Sequence, residues 1–366
     1  MYQELRVISG IKKEQYLKLG RRESIFEEEY IRRALWEVYQ QYASHLKKQG
    51  LTDLAFNPLT QASRYYLVAI DEAQDFSYLQ LQNLIGLAEE GRVAAFTDSN
   101  QSLMDSFSKF NFLKKILGAQ EENCLTLHES IRCSKRVSAF ANTVLKIKNH
   151  VTHGVLEKGT QAHLPILQTA IEGEVVWPYP RSEEQIRLLK ADTNSTQCAI
   201  VTLKEHREEA HKLFPGALIL TAEQAKGLEY EKIIAFKLLD QAFYKGINEE
   251  LADFDENAPA ASSRPKRGDA QHENALVFNE LFTAVTRARK ALFIWDDKEV
   301  HERRHVLSIL DGRINSFAKA LSSAPKTIEE SSKEEWLDAV KEQIRRGAIE
   351  VVNGGLKPRI YGAGMN

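Results

Sequence analysis

Short apolar runs of strand length alternate with helix-patterned stretches along most of this sequence. The runs fall at about 66–70, 92–97, 124–127, 198–202, 217–220, 232–239 and 291–295. Several are continuously apolar rather than alternating, the pattern of strands covered on both faces of a parallel sheet. Strands interleaved with helices predict an α/β architecture built on parallel sheets. The helices have readable ends. Ser24-Ile25-Phe26-Glu27 has the form of a capping box. Ile31, Ala34, Leu35, Val38, Tyr39, Tyr42 and Leu46 then recur at helical spacing, and Gly50 stops the helix. Tyr30 and Trp36 on this helix read as packing residues. Ser77 with Gln80 opens a second helix, expected over 77–90, and another is expected over 105–117. Ser134 opens the next, 182–190 is short, and Thr202-Leu203-Lys204-Glu205 reads as a further cap. The last of this group carries Leu276, Phe278, Leu281, Phe282 and Val285 and runs to Arg289. Residues 151–180 read as irregular, and 246–272, polar with Pro259 and Pro265, as a long mobile loop. A first lobe at 1–118, a second at 119–298 and a helical tail at 299–366, including a helix over 331–346, are the expected divisions.

The 366 residues suffice for two or three domains, and 43% of them are hydrophobic. With 49 basic against 51 acidic residues the formal net charge is -2. A nucleic-acid surface must therefore be a local groove rather than a global basic field. Cys124, Cys133 and Cys198 are too few and too scattered for a disulfide framework or a zinc site. No signal-like or membrane-length apolar run is present. A soluble, cytoplasmic protein with no membrane partner is expected.

The run at 66–70 ends in Asp71-Glu72-Ala73-Gln74-Asp75. Ligands of open α/β sheets bind at the carboxyl ends of the strands, so this acidic pair belongs at the functional edge. In nucleotide-hydrolysing α/β proteins an acid at this point holds Mg²⁺ and a neighbour orients the attacking water. A polar turn is the plain alternative. Asp98 and Gln101 close the next strand, where a Gln can hydrogen-bond a γ-phosphate or its attacking water; an Asx-type turn is the alternative. Arg132 and Arg287 stand at element ends. An Arg facing such acids across a lobe interface is worth roughly 10³–10⁵ in rate, whereas most Arg side chains are simply solvated. Gly227 permits close backbone approach to a ligand, and Glu229 offers an acceptor for a ribose hydroxyl or an Arg.

Taken in order, Asp71–Asp75, Asp98-Ser99-Asn100-Gln101-Ser102, Ser130-Ile131-Arg132-Cys133-Ser134, Thr221 to Glu229 and Thr286-Arg287-Ala288-Arg289 resemble motifs II to VI of the UvrD/Rep/PcrA-like superfamily-one DNA helicases. The resemblance covers roughly residues 20–300. It implies two RecA-like lobes of the P-loop NTPase fold, with ATP and Mg²⁺ between them and single-stranded DNA as partner. By resemblance Asp71 is the Mg²⁺ ligand, Glu72 activates water, Gln101 senses the γ-phosphate, and Arg132 and Arg287 contact phosphate. Gly227 and Glu229 lie at the nucleotide, and Thr221 lies near the DNA track. Phe107 is the residue left to stack on a base. The family's activity is ATP-driven 3′–5′ movement along DNA. Repair, recombination and defence all remain open as settings.

Three departures qualify that picture. No G-x-x-x-x-G-K-[ST] occurs, so the sequence shows no nest of backbone N–H groups and no Lys for the phosphates. Ile131 stands where an adenine-stacking Tyr is usual, and Glu223 where a His is common. The stretch between Arg132 and Lys226 is too short for the large inserted subdomain of longer helicases. The expectation is a truncated first lobe, inactive in ATP hydrolysis alone. A separate chain carrying the P-loop, or a non-enzymatic binding role, is the alternative.

Overall fold

The computed structural model describes residues 2–19, 24, 26, 28–56, 63–104, 109–126, 131–152, 166, 170–256, 269–323 and 359–362. The helices are α1 (Tyr2–Ile8), α2 (Lys13–Leu17), α3 (Glu29–Gln49), α4 (Tyr78–Gly86), α5 (Lys109–Leu117), α6 (Lys135–Val151), α7 (Glu183–Asp192), α8 (Arg207–Leu213), α9 (Ala222–Ala225), α10 (Ala242–Gly246), α11 (Asp269–Val285) and α12 (Arg304–Ser323). The strands are β1 (Val68–Ile70), β2 (Val93–Thr97), β3 (Cys124–Thr126), β4 (Glu174–Val176), β5 (Cys198–Thr202), β6 (Ile219–Leu220), β7 (Tyr230–Phe236), β8 (Ala288–Trp295) and β9 (Arg359–Gly362). They form two all-parallel sheets, in the orders β1-β2-β9-β3 and β4-β8-β7-β5-β6. The α/β class with parallel sheets is therefore as expected. No helix among the described residues is long and apolar enough to cross a membrane.

The second sheet is the better covered. Its interior strand β5, between β7 and β6, is buried at every position. On one face lie α6, α11 and α12, which contribute Phe140, Val144, Phe278, Phe282, Val306 and Leu310 to the largest apolar cluster. On the other, Phe214 and Leu189 pack with Ile200, Phe236 and Trp295. A smaller cluster around Ile70, Leu81, Val93, Ala95 and Leu113 holds the first sheet to α4 and α5. The N-terminal helices form a third layer, with Tyr16, Leu35, Leu46 and Phe56 at its centre.

Several local expectations change. Ser24 does not cap α3; it donates to Glu4 Oε1 at 2.5 Å, and Glu28 takes the N-cap position without a side-chain bond. A buried carboxylate that also accepts from Tyr16 at 2.9 Å is the stronger draw for that hydroxyl. Ser77 caps α4 as expected, with Gln80 completing the reciprocal pair. Thr202 does not cap the helix after it, because its hydroxyl bonds Phe236 O across the sheet at 2.8 Å. Trp36 packs between Tyr16 and Tyr39, whereas Tyr30 is 72% exposed. The run at 66–70 is not a doubly covered strand: β1 lies at the edge of its sheet, and Tyr66 and Leu67 are exposed. β4 lies in a stretch read as irregular. The first part of the expected loop at 246–272 is packed, with Ile247 and Leu251 buried and Glu256 paired with Arg313 and Lys146; the later part, 257–268, lies outside the described residues. So does 331–346.

The division between sheets also differs from the expected one near residue 118. β3 pairs with β9 in the first sheet, so that sheet extends through Thr126. The tail contributes a strand, not helix alone: β9 lies between β2 and β3, pairing Ala95 with Ile360 and Cys124 with Ile360.

Asp296, just beyond β8, is buried, and its carboxyl is pushed up to about 8, chiefly by desolvation. Its Oδ2 accepts from Leu239 N at 3.4 Å and its Oδ1 lies 3.8 Å from Arg303. A carboxyl raised in the folded state binds protons there that the unfolded chain has released, so stability falls as pH rises from about 4 to about 8. Asp296→Asn keeps the acceptor for Leu239 and removes the titration. Its thermal midpoint is expected to decline less between pH 5 and pH 8 than that of the native protein, as followed by circular dichroism.

Candidate functional site at the lobe interface

β1 and β2 run side by side, so their carboxyl ends deliver Asp71-Glu72 and Asp98 to one edge. Asp71 is exposed, and its Oδ1 accepts from the Glu72 amide at 2.9 Å. Glu72 adopts a left-handed conformation at φ 48°. Few non-glycine residues sit there, and those that do cluster at functional sites. The turn is fixed from below by Gln74, which donates to Glu72 Oε2 at 2.5 Å and accepts from the Asp98 amide at 3.0 Å. Gln74 thus ties the end of β1 to the end of β2.

Asp98 is buried and organises the turn that follows. Its carboxylate accepts from the Asn100 amide at 3.0 Å and from Gln101 Nε2 at 2.7 Å. Burial pushes its pKa up to about 6. With Nε2 engaged there, Gln101 presents Oε1 to the other lobe, where Arg287 Nη2 donates to it at 2.6 Å. Arg287 lies two residues beyond the end of α11 and is fully buried. Its Nε donates to Thr283 O at 3.1 Å and its Nη1 to Leu228 O at 3.4 Å. Burial, together with the neighbouring Arg132, holds Arg287 down at about 10, so it stays charged at neutral pH.

Arg132 stands at the second lobe's side of the same interface. Its Nε meets Glu229 Oε1 at 2.6 Å, while its Nη1 is buried with no hydrogen-bond partner among the described residues. An orphaned buried guanidinium donor is costly unless something accepts from it. Glu229 is also 3.9 Å from Arg289. Gly227 has φ +77° and open space where a Cβ would lie, so the left-handed backbone, not crowding, is what requires glycine there.

Asp71, Glu72, Gln101, Arg132, Arg287, Gly227 and Glu229 therefore gather around one interface. Thr221 is buried, caps α9 with a bond from Gln224 N at 3.3 Å, and stands on the lining of a separate groove of about 370 Å³. Phe107 lies outside the described residues.

Sequence reasoning missed three side chains that hold this interface. Lys226 Nζ donates to Asp75 Oδ2 and to Gln101 O, each at 2.6 Å, and lies 3.5 Å from Glu72. Lys148, buried on α6, donates to Asn100 at 2.7 Å and to Asn279 at 2.8 Å. Asn279 in turn donates to the carbonyls of Ser99 and Ser102. A Lys and an Asn on the buried faces of α6 and α11 break the apolar period of those helices, and that is the signal that was available. A cavity of about 390 Å³ opens beside Lys226, lined by Glu72, Asp75, Leu103, Met104, Glu223 and Gly227.

Removing the acceptor from a buried guanidinium exposes the asymmetry of such bonds. Gln101→Ala is expected to lower stability by about 2 kcal/mol, read from urea unfolding with an unchanged slope. Gln101→Ala/Arg287→Met is expected to recover part of that loss, because no charge is then left unpaired. No protein-family model matches the chain, and no curated protein matches it.

Proposed function

We propose that the chain is the catalytic-acid and arginine-bearing part of a UvrD-like, ATP-dependent 3′–5′ DNA helicase or translocase, inactive in hydrolysis alone because it lacks a P-loop. The observation that carries this reading is the meeting of Gln101 and Arg287 at 2.6 Å across 186 positions, with Glu72 and Arg132 at the same interface. The motif-like stretches are far apart in sequence, and unrelated turns have no reason to converge on one cleft. Arg132's unsatisfied buried donor fits an anion such as a phosphate between the lobes.

A nucleotide-bound Mg²⁺ asks the protein for only one or two carboxylates, since phosphates and waters fill its remaining positions. Asp71, exposed at the end of β1, meets that demand, and no group of three or more metal-binding side chains occurs among the described residues. Asp71 would hold the ion, which would offset charge on the phosphate oxygens. Glu72 would orient the attacking water, after Lys226 withdraws from it. Gln101 and Arg287 satisfy each other in this state, so admitting a γ-phosphate requires that pair to open. Such exchange of partners couples nucleotide to lobe movement.

One observation favours the alternative of a binding protein without helicase activity. The groove beside Thr221, about 370 Å³, carries three carboxylates, Glu205, Glu223 and Glu280, against the single cation Lys204, along with Leu203, Leu276 and Val277. An excess of carboxylates repels a phosphodiester chain, although burial raises the pKa of Glu280.

The pure chain is expected to show no DNA-stimulated ATP turnover; turnover abolished by Glu72→Gln would overturn that expectation. Calorimetric titration with Mg-ATP is expected to give weak binding, with a Kd of about 1 mM, lost in Arg132→Ala. No heat from the native chain would remove the nucleotide reading. Single-stranded DNA, followed by fluorescence anisotropy, is expected to bind weakly and to weaken further with salt. Neutralising Glu205, Glu223 and Glu280 to Gln should strengthen it about fivefold if DNA follows this groove.

A further inference from the structure

β9 is the one strand of the first sheet that arrives from far along the chain. It lies in the interior of the sheet, with β2 on one side and β3 on the other, and those two strands make no ladder with each other. Four residues of β9 pair with β2, from Ala94–Arg359 to Thr97–Gly362, and three pair with β3. Adjacent strands lie about 4.8 Å apart, so β2 and β3 stand about two spacings apart and cannot close on each other without moving. With β9 out, both would present unpaired N–H and C=O groups along facing edges. Residues 324–358 join this strand to α12.

From these observations we infer that the gap between β2 and β3 is a strand-acceptor site. The chain's own 359–362 segment plugs it, and a parallel strand from a second polypeptide that ends in a Gly-rich loop can exchange into it. The plug itself indicates the chemistry the slot takes. It is an extended segment with a main-chain N–H at every position, because each N–H of an interior strand is needed by one neighbour or the other. It ends in Gly362, followed in sequence by Ala363 and Gly364. The plug is also short, and β2 offers five residues for pairing. A longer incoming strand gains ladder bonds that β9 does not make.

The slot's position gives the exchange a consequence. Gly362 is level with Thr97, one residue before Asp98 and four before Gln101. Whatever strand fills the slot therefore delivers its following loop to the edge that carries Glu72 and Gln101. A strand followed by glycine-rich backbone is the usual phosphate cradle of parallel sheets. This last step rests on the nucleotide reading above, whereas the strand exchange does not and is tested without nucleotide.

A labelled peptide of residues 355–366 is titrated by anisotropy against full-length chains. Ile360→Pro in the full-length chain removes a ladder N–H and should free the slot. The peptide is expected to bind that variant at least about tenfold more tightly than the native chain, whose tethered plug competes at high effective concentration. A peptide carrying Pro at the same position is expected not to bind. As a second measurement, Ala94→Cys/Arg359→Cys joins register partners. Its oxidised form should be cross-linked within one chain and should exclude the peptide. Equal peptide binding to all three chains would overturn the proposal, as would no binding to an Ile360→Pro chain that melts like the native one. A cross-link between two chains would overturn the assignment of the plug to its own chain.

Discussion

A buried guanidinium has to be met by acceptors, and at Arg287 that requirement organises the interface between the two sheets. The charge is fully enclosed and still ionised at neutral pH, because its ordinary pKa is so high that even a depressed value leaves it protonated. Two of its acceptors, Thr283 O and Leu228 O, come from its own lobe, but the shortest bond goes to Gln101 of the other. Gln101 turns its Oε1 toward Arg287 because Asp98 accepts from its Nε2 on the other side, and Asp98 is in place because Gln74 holds its backbone. The sequence of bonds therefore runs from the end of β1, through the end of β2, into the second lobe. Lys148 and Asn279 form a second polar path a short distance away. Such interfaces have a few alternative sets of partners rather than a continuous range, which suits a switch between discrete states.

The same geometry explains why the acidic edge tolerates so many like charges. Glu72, Asp75 and Asp98 crowd together, yet each has a donor: Lys226 for the first two and Gln101 for the third. Lys226 enters from the second lobe, so Glu72 and Asp75 lose that counter-charge when the lobes part. The cost of separating the lobes is thus partly electrostatic, and a divalent cation or a partner's cationic side chain at the acids would reduce it.

Much of this was legible in sequence. Continuous apolar runs revealed β2, β5 and β8, since a strand covered on both faces has little room for polar residues. Gly50 and the Ser77–Gln80 pair marked their helix ends correctly, because those signals depend on local backbone geometry alone. Ser24 misled because a hydroxyl's partner is decided by tertiary contacts, here a buried Glu4 twenty positions away. The exposure of Tyr66 and Leu67 could not be read either, since edge or interior position depends on which strand pairs where. At the site, residues chosen for their chemistry were found together, but Lys148, Lys226 and Asn279 were not anticipated. They act by joining segments far apart in the chain; the polar breaks that Lys148 and Asn279 make in the apolar period of their helices mark the positions but do not name the partners. β9 was missed for the same reason.

An interior strand contributed by residues 359–362 also sets an order of events during synthesis. The second sheet draws all its strands from residues 174–295 and can assemble as soon as that stretch is free to fold. The first sheet cannot close until its last-made strand appears, although β1 and β2 have been waiting since early in translation. Its ladder with β9 therefore spans the longest sequence separation of the strand pairs among the described residues, the kind of contact that forms slowly. During that interval two strand edges lie open beside an already folded neighbour, and the nascent chain is at its most vulnerable to mispairing and aggregation.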